Sequence, residues 1–246
     1  MYRYQVLIEY VGTSFVGWQI QKKGKSIQKI VQSILSKLLK EKIILYGSGR
    51  TDAGVHASEQ SAHFDIKKKI QNIDKTIKSL NFFLNSKMIS IIKIKKKNFN
   101  FHARYSAKER IYVYLIQNRL SPSTINKDRE WHIRKKLDIN LIKKGCKKLV
   151  GTNDFSTFRA SNCSAKSPIR TINAILVSKS KNCIKLKFKS KSFLKNQVRS
   201  MVGCLKYLGE GKWDLKKFET VFIKKDRTKV APPAPACGLY LEKIIY

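Results

Sequence analysis

Apolar and polar positions change period several times along the 246-residue chain. Arg3 to Tyr10 (RYQVLIEY) is dense in β-forming residues and runs out at Gly12, which predicts a strand. From Ser26 onward the apolar residues Ile27, Ile30, Val31, Ile34, Leu35 and Leu38 recur three and four apart, the stripe of an amphipathic helix with Ser26 as its N-cap. Short apolar segments at Ile43 to Tyr46 and Gln60 to Ile66 predict strands. A second helix is expected over Ile73 to Leu84 and a further strand over Met88 to Ile94.

A polar, basic stretch from Lys95 to Asn100 separates this half from the next. The second half opens on a strand, Arg110 to Gln117 (RIYVYLIQ), followed by a helix capped by Asp138, running to about Val150 and stopped at Gly151. Ile172 to Val177 and Ile184 to Phe188 read as strands, the second alternating apolar residues with lysine. Helices are expected from Ser192 to about Leu208, ended by Gly209 and Gly211, and from Asp214 to Ile223. Three of the five prolines fall in APPAPACG, residues 231 to 238, which predicts a rigid, non-helical connector before a last strand, Leu239 to Ile245. Strands and helices in this order predict an α+β fold, with an N-terminal subdomain over residues 1–104 and a C-terminal one over residues 105–246.

Charge changes the picture. The chain carries 52 Lys plus Arg against 16 Asp plus Glu, a net charge of +36 spread along its whole length. Such a field attracts polyanions, so RNA or DNA is the first partner to consider and an anionic membrane surface the second. Lysine supplies 41 of the positives, and the chain is rich in Ile and Asn, a bias that an A+T-rich genome produces without selection for binding. The eleven arginines are the more informative cations, because the guanidinium fork fits phosphate and carboxylate geometry. The five cysteines are widely separated and form no CxxC pair, which argues against a zinc site or a disulfide framework. The first residues, MYRYQVLIEY, hold Arg3 and Glu9 within the apolar stretch and so lack the core of a signal peptide; a cytoplasmic protein with no membrane span is expected.

Gly47 to Ala57 reads GSGRTDAGVHA. It is neither a dinucleotide fingerprint nor a P-loop, since glycine is missing where Asp52 stands and the loop holds no Gly-Lys pair. Composition leaves two readings open. Asp52 can close an Asx-turn between glycines that supply the unusual backbone angles. Alternatively, Arg50 and Asp52, flanking Thr51, present both side chains at a cleft, where a carboxylate beside cations keeps its charge and serves as nucleophile or base.

The loop resembles the signature of the TruA family of tRNA pseudouridine synthases, whose GRTDAGVHA segment contains the catalytic aspartate. Further segments resemble that family in its order: EYVGTSFVGWQ at 9–19, FHARYSA at 101–107, DFSTFRA at 154–160, FLKNQVRSMVG at 193–203, KDRT at 225–228 and GLYL at 238–241. Val11 and Lys195 depart from the family's usual residues. The resemblance implies two α/β subdomains with mixed, mostly antiparallel sheets joined across a central RNA-binding cleft. It implies isomerisation of uridine to pseudouridine in the anticodon stem-loop of tRNA, without cofactor or metal, by a homodimer.

The same resemblance implies roles for named residues. Asp52 is the nucleophile, with attack on C1′, attack on the base, or formation of a glycal all open. Arg50 holds the flipped nucleotide through a phosphate or fills the vacated space. Tyr112 stacks on the uracil and relays a proton, although a strand residue facing the core is its plain alternative. Arg199 pairs with Asp52 and keeps it ionised. Leu239 covers the uracil, with strand packing as its alternative, and Phe155, Phe158 and Arg159 contribute to the RNA cleft, core packing being the alternative for the two phenylalanines. The rival from another class is a basic RNA-binding protein that kept the scaffold and lost catalysis; the intact set Arg50, Asp52, Tyr112 and Arg199 argues against it.

Overall fold

The alternation in YRYQVLIEY is realised as strand β1 (Tyr2–Tyr10), which turns Tyr4, Val6 and Ile8 into the core. In this computed structural model, which describes residues 1–246, β1 lies between β3 (His56–Ile66) and β4 (Ile89–Lys97), antiparallel to both. The two-residue β2 (Tyr46–Gly47) pairs antiparallel with β3. Helix α1 (Ile27–Leu39) buries Ile27, Val31 and Leu35 completely, and each such side chain contributes about 1.5–3 kcal/mol of hydrophobic stabilisation. Ser26 caps α1 by accepting from the Lys29 amide, and Lys40 ends it in the left-handed region. Helix α2 (Ile73–Leu84) is capped by Asn72 and buries Leu80 and Leu84.

The second unit is built the same way from different connections. Strands β5 (Glu109–Asn118), β9 (Cys183–Ser190), β8 (Ile169–Ser180) and β7 (Gly151–Asp154) follow one another in that spatial order, all antiparallel, and the short β6 (Trp131–Ile133) adds to β5 in parallel. In β9 the run IKLKFK sends Ile184, Leu186 and Phe188 into the core and its lysines outward. Helices α3 (Ile139–Leu149), α4 (Gln197–Gly209) and α5 (Leu215–Ile223) complete the unit, and Asp138 and Asp214 cap α3 and α5. The architecture is α+β with mixed, mostly antiparallel strand pairing.

The boundary between units differs from the one the composition suggests. One unit comprises Met1–Lys108 and Tyr240–Tyr246, the other Glu109–Leu239. Lys95 to Lys97 are part of β4 rather than a linker, because Ile94 faces the core while the lysines take outward or edge positions. The last strand, β10 (Leu239–Ile245), returns to the first unit and pairs in parallel with β3, Tyr240 opposite His56 and Leu241 opposite Ala57.

Three elements differ locally from expectation. Ile43 to Leu45 form no strand, because the amides of Ile43 and Leu45 donate to Ser36 Oγ and Gln32 Oε1 of α1, each at 3.0 Å, instead of to a neighbouring strand. Helix α4 starts five residues later than the sequence suggests: Asn196 has φ +62°, and the Leu194 amide donates to Gln197 Oε1 at 2.8 Å, closing a tight turn first. The proline connector ends in one 3₁₀ turn, Ala236–Gly238, just past its last proline.

Candidate active site

The loop from Gly47 to Ala57 is fastened on both flanks before it presents any side chain. On the entering side, the Ser48 amide donates to the Ser61 carbonyl at 2.8 Å, and Gln60 Nε2 donates to the Gly49 carbonyl at 2.8 Å. Thr51 points inward: its hydroxyl shares a 2.8 Å hydrogen bond with Tyr10, and its carbonyl accepts from the Trp18 amide at 3.1 Å. Asp52 then opens a turn in which its carbonyl accepts from the Val55 amide at 3.2 Å and Gly54 takes φ +77°. On the leaving side, His56 Nδ1 accepts from the Gly12 amide at 3.0 Å, and its ring stacks on Tyr240 at 4.6 Å. Arg50 is exposed, Thr51 buried and Asp52 half-buried, so the turn carries Asp52 between a buried and an exposed neighbour.

The second layer of this device is the segment 9–19. Gly17 has φ +108°, and a methyl group there would lie 2.6 Å from the Thr51 carbonyl oxygen. At Gly12 a methyl would lie 2.0 Å from the Val55 carbonyl oxygen. Only glycine permits the two chains to approach this closely. The scaffold residues Tyr10, Gly12, Gly17, Trp18 and His56 were not singled out for function by sequence reasoning; the signal that could have found Gly12, Gly17 and Trp18 is two glycines and a tryptophan in a segment with no strand or helix period. A side chain carried on a backbone fastened in this way is held in place before any substrate arrives.

The remaining candidates lie in the second unit. Tyr112, on β5 opposite Phe188, is largely buried, and its ring meets Phe193 edge-on at 5.3 Å. Arg199, in the first turn of α4, is bound twice to the proline connector: its Nε donates to the Ala234 carbonyl at 2.7 Å, and the Ala234 amide donates to the Arg199 carbonyl at 2.9 Å. Leu239 is buried at the end of that connector, one residue before the Tyr240 that pairs with His56.

Phe155 and Phe158 do not fit the role of RNA-stacking residues. Both rings are fully buried and cluster with Phe222, at 5.5 Å each, in the interior of the second unit, so no face is open to a base. Arg159 donates from Nη2 to the carbonyls of Cys163 and Ala165 at 2.8 and 2.6 Å, holding the following loop. Two motifs join here: Lys225, from KDRT, lies 2.8 Å from Asp154, from DFSTFRA. That hydrogen bond, with those from Ser156, brings the Asp154 carboxyl down to about 2.

The sequence profile of the family described as tRNA pseudouridine synthase matches residues 6–106 and 146–246, which include the Asp52 loop, the 9–19 segment that cradles it, and α4 with Arg199. The chain belongs to the tRNA pseudouridine synthase family. A family member named tRNA pseudouridine synthase A from Pelagibacter ubique is 66% identical over 246 residues, covering all of both chains. Others of the same name, from Paramagnetospirillum magneticum and Neorickettsia sennetsu, are each 42% identical, covering 100% and 99% of this chain and 96% and 100% of their own. Membership of the family is therefore a property of the whole chain and not of one loop.

Proposed function

We propose that the protein isomerises uridine to pseudouridine in tRNA, on the 3′ side of the anticodon arm, with Asp52 as the nucleophile. The observation that carries this reading is the doubly fastened turn that holds Asp52, in a chain of this family. The reaction is balanced within the substrate: the N1–C1′ bond breaks, a C5–C1′ bond forms, C5 gives up its proton and N1 gains one. It consumes no oxidant, reductant or transferable group, so a carboxylate and a closed pocket suffice.

The target base must leave its stack before a carboxylate can reach it. Arg50, exposed beside Asp52, is assigned to the flipped nucleotide's phosphate or to the space it vacates. Tyr112 is assigned to the uracil face, Leu239 to covering it, and Arg199 to pairing with Asp52 so that the carboxylate stays ionised. Support for Arg199 is its double hydrogen bond to Ala234 in the proline connector, and for Leu239 its place just after that connector, whose continuation pairs with β3 at His56, four residues after Asp52. The protein is proposed to act as a homodimer in the cytoplasm, gripping one tRNA with both subunits, and the resemblance to the family supports these assignments. No helix is long and apolar enough to cross a membrane.

The test is pseudouridine mapping of unmodified tRNA transcripts incubated in buffer alone with the native protein and with Asp52→Asn. New pseudouridine in the anticodon arm, absent with the variant, is the expected result. A folded native protein that binds tRNA yet makes no pseudouridine would favour the catalytically inactive RNA-binding scaffold.

A further inference from the structure

The first unit's sheet has a second chemically distinctive region. Strand register puts Arg3 of β1 and Lys93, Lys95 and Lys97 of β4 on one face, the same face as His63 of β3, and Tyr46 of β2 stands opposite His63. This is the face opposite the buried Tyr4, Val6 and Ile8. Segment 98–105 folds onto it. Arg3 holds Asp65 with Nε and Nη2, at 2.8 and 2.7 Å, and reaches the Phe101 carbonyl with Nη1 at 2.9 Å. The Ala103 amide donates to His63 Nδ1 at 3.2 Å.

The rings form a continuous ladder. Tyr46 stacks on His63 at 5.1 Å, His63 meets His102 at 4.6 Å, and His102 meets Tyr105 at 4.4 Å. His102 Nδ1 accepts from the Arg104 and Tyr105 amides, at 3.1 and 3.4 Å, which fixes the ring that carries Tyr105. Burial first, then neighbouring positive charge (His102 and Arg3 at His63, Arg3 and Arg104 at His102), holds both imidazoles below their ordinary range, so both rings are uncharged near neutrality. The ladder nevertheless ends in water: Tyr105 is 75% exposed and Tyr46 46% exposed, and the Arg104 guanidinium lies 5.7 Å from the Tyr105 ring centre. A rigid aromatic surface open to solvent and edged by cations has the parts of a single-stranded nucleic-acid platform, in which a base stacks on a ring and its phosphates meet lysines.

We infer that Tyr105, carried on the His102–His63–Tyr46 ladder, is a stacking platform for an unpaired base of the tRNA other than the reacting uridine, with the flanking phosphates on Lys93, Lys95 and Lys97. The inference rests on the proposed activity for the identity of its ligand and adds a grip on the RNA outside the Asp52 loop. It makes Tyr105 a residue that sets substrate affinity and not one that takes part in bond exchange.

The experiment measures binding of a labelled, unmodified tRNA transcript by the full-length native protein and by Tyr105→Leu, Tyr105→Phe and Asp52→Asn, each at several salt concentrations. Tyr105→Leu keeps an apolar side chain and removes the π-face; it is expected to weaken binding by about five-fold or more. The slope of log affinity against log salt stays as in the native protein, because no phosphate contact is lost. Tyr105→Phe retains affinity within about two-fold. In turnover the Leu variant's loss falls on KM and not on kcat. Native affinity in Tyr105→Leu would overturn the inference, and so would an equal loss in Tyr105→Phe, which would point to the hydroxyl. Because Tyr105 is exposed, thermal unfolding of both variants should match the native protein and exclude misfolding as a cause. The Asp52→Asn arm separates the two proposals: it should bind normally and turn over nothing, and turnover by that variant would refute the assigned chemistry whatever Tyr105 does.

Discussion

Replacing Gly17 by alanine tests whether the Asp52 loop depends on the segment that cradles it. Two costs arise at one position. Gly17 sits at φ +108°, where an L side chain is strained, and holding alanine there costs on the order of 1–3 kcal/mol. Its new methyl would also stand 2.6 Å from the Thr51 carbonyl oxygen, and reaching ordinary contact near 3.4 Å requires the two chains to part by about 0.8 Å. Thr51 adjoins Asp52 and anchors it through the Tyr10 hydroxyl and the Trp18 amide, so the displacement passes directly to the carboxylate. A shift of about 1 Å in a reacting group lowers a rate by up to about 100-fold. The assay is single-turnover pseudouridine formation at saturating tRNA, with tRNA affinity and unfolding measured on the same samples. The expected variant folds, binds tRNA within a few-fold of native and reacts between about 10- and 100-fold more slowly. Gly211→Ala is the control: Gly211 has φ +71° but no atom within 4 Å of the added methyl, so it pays strain without moving the Asp52 loop. A Gly17→Ala protein with native turnover would refute the claim that this close approach positions Asp52.

Two further outcomes follow from particular side chains. Burial, then the neighbouring His102 and Arg3, lowers His63 to about 4 from an ordinary 6.5; because the unfolded chain binds this proton more readily, the corresponding stability is complete above about pH 6.5 and is lost as pH falls toward 4, by at most about 3 kcal/mol. Urea unfolding between those pH values should show the loss in native protein and less of it in His63→Gln; an equal loss in both would contradict it. Phe158→Ala should cost about 3–5 kcal/mol of stability by opening a cavity beside Phe155 and Phe222, while tRNA affinity of the folded fraction stays native. A selective fall in tRNA affinity without destabilisation would restore that ring to the RNA interface.

How far the fold was legible depended on where the information lies. Helix α2 begins and ends at the residues its period implies, and Ser26, Asp138 and Asp214 cap the helices they precede, because capping is a local interaction between a side chain and amides two or three residues on. The alternation in β9 likewise reports burial directly. Strands β6 and β7 escaped because three or four residues carry no usable period, and Ile43 to Leu45 read as a strand from their apolar residues because sequence does not show that side chains of α1 take their amides. The return of β10 to the first unit is a long-range pairing with no local signature. At the site, the Asp52 loop was legible through its motif, but the reason for its neighbours was not: Gly17 and Thr51 are 34 residues apart, and only the folded chain shows that one must be glycine because the other's carbonyl lies against it. Phe155 and Phe158 show the converse, since an aromatic residue inside a motif reads equally well as a ligand contact or as core until its burial is known.

The most direct test of the central claim is release of tritium from tRNA transcribed with [5-³H]uridine. Forming the C5–C1′ bond obliges C5 to give up its hydrogen to water, so release counts isomerisation events and ignores binding. With the native protein in buffer alone, release should occur from uridines of the anticodon arm, and Asp52→Asn should release none while still binding the tRNA. Release by Asp52→Asn at the native rate, or none by a native protein that binds the same tRNA, would contradict the account.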